Sequence, residues 1–208
     1  MALTTIGLMA LLGCFTGFMA GLLGIGGGMI ITPFLIMLIP SSLIPHEHIV
    51  HVAIATSLAT IAFTSLSSVR AHHKRGAVLW NVVASVAPGI LVGAVVGAQI
   101  AGWLPTFWLS LIFAAFVGFS AFKMFLNKSP RPDRNLPVTI GKFFMGIAIG
   151  ILSALVGAGG GFISVPWMIW CNVKMQNAVA TSAAFGFPIA LFGTIGYIIS
   201  GWNVSGLP

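Results

Sequence analysis

Negative charge is almost missing from this 208-residue chain: Glu47 and Asp133 are its two acidic residues, and charged side chains of either sign make up 5% of it. A soluble domain carries several times that share on its surface. The shortage excludes a soluble globular protein, and with it the paired carboxylates that general acid–base enzymes and proton- or cation-coupled membrane sites depend on. Cysteine is equally scarce. Cys14 and Cys171 lie far apart in apolar surroundings with no C-x-x-C spacing, so neither a redox motif nor a metal site is readable, and both are expected to be small buried residues. No Ser/His dyad at membrane depth and no zinc motif can be found, so no enzyme activity and no cofactor are expected.

What the chain has instead is apolar bulk: 58% of residues are hydrophobic and the mean hydropathy is +1.09. Apolar runs of twenty or more residues recur, each long enough to cross roughly 30 Å of hydrocarbon. The expected fold is an all-α polytopic transmembrane bundle. Helices are predicted near 3–23, 48–69, 77–102, 105–126, 137–157 and 176–200, about six spans, with short apolar pieces at 29–39 and 162–172. The opening "MALTTIGLMALLGCF" has no Lys or Arg before its apolar stretch and runs on too far, so it reads as a retained first helix rather than a signal peptide.

The net charge of +7 comes from nine Lys and Arg, all between or at the ends of apolar runs. No basic soluble unit exists to hold nucleic acid; these cations read as orientation signals. With the amino terminus in the cytoplasm and the short pieces re-entering, the loop "RAHHKRG" and the polar segment "KMFLNKSPRPDRNLPVTIGK" face the cytoplasm. The loops around 40–47, 103–105 and 172–177 then face outward and hold one cation, Lys174. Trp103, Trp108, Trp167 and Trp170 are expected at the outer interface, Trp80 and Trp202 at the inner one.

The chain repeats itself. A shift of 133 residues places Gly13, Gly17, Gly24, Gly26, Gly27, Gly28 and Pro33 on Gly146, Gly150, Gly157, Gly159, Gly160, Gly161 and Pro166; with Leu22 and Ile30 this makes 9 identities in 21 positions. A shift of 125 then aligns "AIATSLA" from Ala53 with "AVATSAA" from Ala178. The expected organisation is a first repeat over 1–128, a basic cytoplasmic linker over 129–141, and a second, shortened repeat over 142–208 without counterparts of the helices at 77–102 and 105–126. Paired Gly/Pro interruptions in corresponding halves are the best sequence pointer to a transporter's binding site.

Glycines can turn successive backbone N–H groups inward, and such a nest ahead of a helix start binds anions. Gly24, Gly26, Gly27 and Gly28, with Gly157, Gly159, Gly160 and Gly161, are therefore candidate substrate ligands. Thr56, Ser57, Thr181 and Ser182 in the two "ATS" blocks are candidates to add hydroxyls. The ladders Gly13–Gly17–Gly21, Gly146–Gly150–Ala154 and Gly89–Gly93–Gly97–Ala101 read as helix-packing faces. His46, His48, His51 and Glu47 make a metal site conceivable, but the second repeat has no match for them and they read as incidental. With no charged residue in mid-span, backbone amides and hydroxyls suit a small anion better than a cation.

The doubled pattern "GLLGIGGGMIITPFL … AIATSLA" and "SALVGAGGGFISVPWM … AVATSAA" resembles the TauE/SafE family of sulfite-exporter-like permeases over nearly the whole chain. The resemblance implies a multi-pass transporter of the bacterial plasma membrane that carries small sulfur-containing anions such as sulfite or organosulfonates by alternating access. It also implies two complete four-helix halves, of which this chain lacks the last two helices. The expected partners are a small anionic substrate and the lipid bilayer, with a homo-oligomer or a complementing subunit left open. A non-transporting membrane scaffold is the alternative from a different class.

Overall fold

In hydrocarbon a backbone must satisfy its own polar groups, so apolar runs of this length fold as helices. The computed structural model describes residues 7, 10–11, 13–18, 28–39, 44–125 and 136–202, with 123–125 described by backbone alone. Gly24, Gly26 and Gly27, residues 129–135 of the expected 129–141 linker, and most of the expected first span lie outside the described residues. Among those described there is no strand, and seven helices follow in order: α1 Gly28–Leu38, α2 Ile49–Lys74, α3 Trp80–Trp103, α4 Thr106–Phe125, α5 Thr139–Val156, α6 Gly161–Trp170 and α7 Met175–Gly201. Helices α2, α3, α5 and α7 run for 26, 24, 18 and 27 residues and are long and apolar enough to cross a membrane. Phe63, Trp103, Phe107, Phe119 and Phe122 are exposed on the outside of the bundle, the arrangement for contact with lipid. The protein is a multi-pass helical membrane protein.

The Gly-x-x-x-Gly ladders set the closest helix pair. A Cβ on Gly89 or Gly93 of α3 would overlap the carbonyl oxygens of Phe143 and Ile147 on α5, and one on Gly97 would stand 2.7 Å from that of Ile151. From the other side, Gly146 abuts the Val86 carbonyl and Gly150 the Ala94 amide and Ile90 carbonyl. The contacts advance by four residues on both helices in the same direction, so α3 and α5 run parallel, backbone against backbone, a distance only glycine permits.

Helix α7 also runs parallel to α3. The Leu79 N–H donates to Thr181 Oγ1 (3.0 Å), Gln99 Nε2 donates to the Gly196 carbonyl (3.0 Å), and Gly102 lies against Ser200. Helix α2 runs antiparallel to α7, with Leu58 against Gly193 and Ser65 against Gly186. Ile54, Leu58 and Ile61 of α2, Ile90 of α3, Ile149 of α5, and Phe185 and Ile189 of α7 fill the space between these four helices and are fully buried.

This arrangement corrects the expected loop sides. Because α7 starts beside Leu79, the segment 171–174 with Lys174 sits at the same end as the basic loop 75–79, not opposite it. Trp202, expected beside Trp80, lines a cavity together with Trp103 at the other end. Trp170, at the end of α6, leads into that same 171–174 segment rather than to the Trp103 end. The expectation failed because it took both short pieces as re-entering on one side, whereas α1 and α6 run in opposite directions. The buried reading of the cysteines is corrected as well: Cys14 is exposed and Cys171, at the end of α6, is half-buried, where lipid can cover a thiol.

Candidate functional site

The site begins where α5 stops. Gly157 ends that helix in the left-handed conformation (φ 65°, ψ 34°), and its N–H and that of Ala158 both return to the Ser153 carbonyl. Gly160 is again left-handed (φ 77°, ψ −10°) and is followed directly by the right-handed first residue of α6, Gly161. A left-handed residue followed by a right-handed one turns three consecutive N–H groups toward one point, here those of Gly160, Gly161 and Phe162. A side chain would be strained at either left-handed position, which accounts for the glycines there.

Residues 157–161 are buried. The Gly160 carbonyl accepts the N–H groups of Ile163 and Ser164 and the Ser164 hydroxyl, closing the first turn of α6. Among the described residues, no backbone hydrogen bond uses the N–H groups of Gly159, Gly160, Gly161 or Phe162. These donors, without backbone partners among the described residues and three of them on buried residues, carry the positive end of the α6 dipole and a desolvation cost that an acceptor relieves.

A side chain faces the same place. Ser153 is 1% exposed, its Oγ makes no hydrogen bond among the described residues, and it lies 3.4 Å from where a Cβ on Gly160 would be. Sequence reasoning missed Ser153. The available signal was a hydroxyl four residues before the glycine cluster, in an otherwise apolar helix end.

The other short helix meets this turn. Gly28, the first residue of α1, abuts the Gly157 carbonyl so closely that any Cβ would overlap it, and Thr32 Oγ1 lies 3.3 Å from the Cβ position of Gly157. Gly28 also touches Ile61 while Thr32 touches Ser57, so α1 runs antiparallel to α2. Gly160 touches Ile189 while Ser164 touches Ser182, so α6 runs antiparallel to α7. Since α2 and α7 oppose one another, α1 and α6 start close together in the interior and lead to opposite ends of the bundle. Their positive amino ends converge.

The candidate hydroxyls divide into two groups. Ser57 Oγ lies 2.8 Å from Thr32 Oγ1, which itself donates to the Gly28 carbonyl (2.8 Å). Ser182 Oγ lies 2.8 Å from Ser164 Oγ in the same relation to α6. Each "ATS" serine thus ties a short helix to its long neighbour through a buried hydroxyl pair. Thr181 Oγ1 accepts the Leu79 N–H at the start of α3, the work of a helix cap. Thr56 stands apart: it is exposed and lines a cavity of about 960 Å³ between α2, the α3–α4 turn and the end of α7. No group of three His, Cys, Asp or Glu able to hold a metal ion occurs among the described residues.

Comparison with known proteins agrees with this architecture. Residues 9–207 match the family model described as "Sulfite exporter TauE/SafE". A probable membrane transporter protein of Haemophilus influenzae is 34% identical over 201 residues, covering 96% of this chain and 76% of the relative. The probable membrane transporter protein YdhB of Bacillus subtilis is 30% identical, covering 89% of this chain and 76% of the relative. The probable membrane transporter protein MJ0441 of Methanocaldococcus jannaschii is 28% identical, covering 92% and 72%. No solved structure matches. The chain belongs to the TauE/SafE family of membrane transporter proteins.

Proposed function

We propose that this protein is a permease for a small oxyanion, of the sulfite or sulfonate type, and that the anion binds at the turn between α5 and α6. One observation carries the reading: the N–H groups of Gly159–Phe162, without backbone partners among the described residues, converge beside the Ser153 hydroxyl, which has no hydrogen bond among them either. Hydrogen-bond donors without formal charge suit an anion that must be released again. The family's description as a sulfite exporter supplies the substrate class.

The chain reads as two inverted copies, α1–α2 and α6–α7, whose half-helix amino ends share the site, the arrangement by which broken helices hold anionic groups near the bilayer midplane. Gly28 lies against Gly157, and in this reading alternating access requires the α1 and α6 ends to part. Gly24, Gly26 and Gly27 would complete the site from the α1 side. The end carrying Arg70, Lys74, Arg75, Lys142 and Lys174 faces the cytoplasm of a cell whose plasma membrane houses the protein.

Purified protein in liposomes, assayed for sulfite and methanesulfonate flux, tests the reading. Ser153→Ala removes one donor without touching the backbone and is expected to lower flux at limiting anion by about tenfold, the worth of one such hydrogen bond. Gly160→Ala is expected to abolish it. Wild-type flux in both variants overturns the assignment of this turn as the site.

A further inference from the structure

We infer that Gly13 and Gly17 of the first span, with Thr56 of α2, form the docking seat of a partner helix hairpin built like α3–α4. The inference rests on the internal repeat and is independent of the substrate. In the second repeat the corresponding seat is filled. Gly146 and Gly150 of α5 are buried against the backbone of α3, which brings its own ladder of Gly89, Gly93 and Gly97. Thr181 of α7 is fully buried and accepts the Leu79 N–H at the start of α3 (3.0 Å). Helix α3 is thus held by a glycine ladder on one neighbour and capped by a threonine on the other.

The first repeat presents the same groups uncovered. The shift that places Gly13 and Gly17 on Gly146 and Gly150, and the shift that places Thr56 on Thr181, map this seat onto the first span and α2. Residues 13–18 are helical, Gly13 and Gly17 are exposed, and a Cβ on either meets nothing within 4 Å among the described residues. Thr56 is exposed where Thr181 is buried. The next residues, Ser57 and Ser182, agree: both are buried against their short helices. The two repeats therefore match where they face the short helices. They differ where one faces α3 and the other faces open space.

The cavity of about 960 Å³ lies where such a hairpin begins. Thr56 shares its wall with Ser200, Gly201 and Trp202 at the end of α7. In the other repeat, the end of α2 lies beside Thr181, and residues 75–79 lead from it into α3. The wall is held in place by His51, whose Nε2 donates to the carbonyls of Ala101 (3.0 Å) and Leu104 (3.1 Å). The partner's chemistry follows from the seat. Its first helix runs parallel to α2, has Gly or Ala at every fourth position to meet Gly13 and Gly17 backbone to backbone, and opens with an N–H for Thr56 Oγ1. A second copy of this chain cannot lend its α3 without uncovering its own α5. The relatives have the length for the unit: the 201 residues matched are 76% of the Haemophilus influenzae protein, which leaves roughly 60, room for two spans of about 20.

The test supplies a hairpin of this kind. The whole chain is co-expressed with residues 77–126 as a separate tagged hairpin, and capture on the tag is measured in mild detergent. Capture is expected with the wild-type chain. Gly13→Ile with Gly17→Ile fills the groove without touching the chain's own packing and is expected to lower capture at least tenfold. Thr56→Val keeps the shape but removes the acceptor, and a loss of about fivefold is expected. Gly118→Ile, at an equally open position on α4, is expected to change nothing. No capture by the wild-type chain, or undiminished capture by the Gly13→Ile, Gly17→Ile variant, overturns the inference. Light scattering of the chain alone is the second measurement. A dimer that this double variant loses assigns the face to a second copy and likewise overturns the proposal; the same mass in both supports it. None of these outcomes bears on the anion site, which the flux assay tests separately.

Discussion

Replacing Gly93 with alanine places a methyl group where the structure has the Ile147 carbonyl oxygen, and 2.9 Å from that residue's Cα and carbonyl carbon. All three are backbone atoms of a helix, so no side chain can rotate away. Helices α3 and α5 must part, and the parting loosens the crossings at Gly89 and Gly97 on either side. Overpacking of this kind costs about 1–3 kcal/mol, against a gain of roughly 1 kcal/mol from alanine's better helix propensity. A net loss of up to about 2 kcal/mol is expected. Gly118 on α4 is the internal control, because a Cβ there meets nothing within 4 Å. Gly118→Ala should therefore show the propensity gain alone, and the two variants should differ by the overpacking cost, about 1–3 kcal/mol. Unfolding by dodecyl sulfate in mixed micelles, followed by tryptophan fluorescence, measures the difference. Equal stability of Gly93→Ala and Gly118→Ala would show that the α3–α5 seam is not the close backbone contact described above.

Two further outcomes concern the hydroxyl groups. Ser57→Ala leaves Thr32 without its buried side-chain partner and is expected to cost about 1–3 kcal/mol, while Thr32→Val with Ser57→Ala costs less than the sum of the single changes; a double-mutant cycle in the same unfolding assay detects the coupling. Thr181→Val removes the acceptor for the Leu79 N–H and is expected to cost about 1 kcal/mol and to speed amide exchange at the start of α3, measured by hydrogen–deuterium exchange.

Much of the architecture was legible because membrane insertion leaves so few solutions. Apolar runs near 48–69, 77–102, 137–157 and 176–200 became α2, α3, α5 and α7, and the short pieces after the glycine clusters became α1 and α6. Two of the three ladders read as packing faces do pack, Gly89–Gly93–Gly97 on Gly146–Gly150, whereas in the third Gly13 and Gly17 are exposed and a Cβ on either meets nothing within 4 Å among the described residues. The sides of the loops were not legible. A hydropathy pattern is the same for a short helix that returns to its own side and one that leads to the other, and only the contacts of α7 with α3 separate the two. The "ATS" blocks show a different limit. Recurrence marked Ser57 and Ser182 as important, yet it could not reveal that their partners are Thr32 and Ser164, which the repeat alignment leaves one residue out of register.

By itself the sequence determined the medium, the helices and the location of the backbone breaks, because transfer free energy and the special conformations of glycine are local properties of residue type. The tertiary structure decided what the breaks do. Whether the N–H groups after Gly157 are satisfied, whether Ser153 joins them, and which carbonyls hold His51 all depend on groups brought together from distant parts of the chain. His51 makes the point most directly: its carbonyl partners lie 50 and 53 residues away, and a pattern read along one helix could show it only as one histidine among three near a loop.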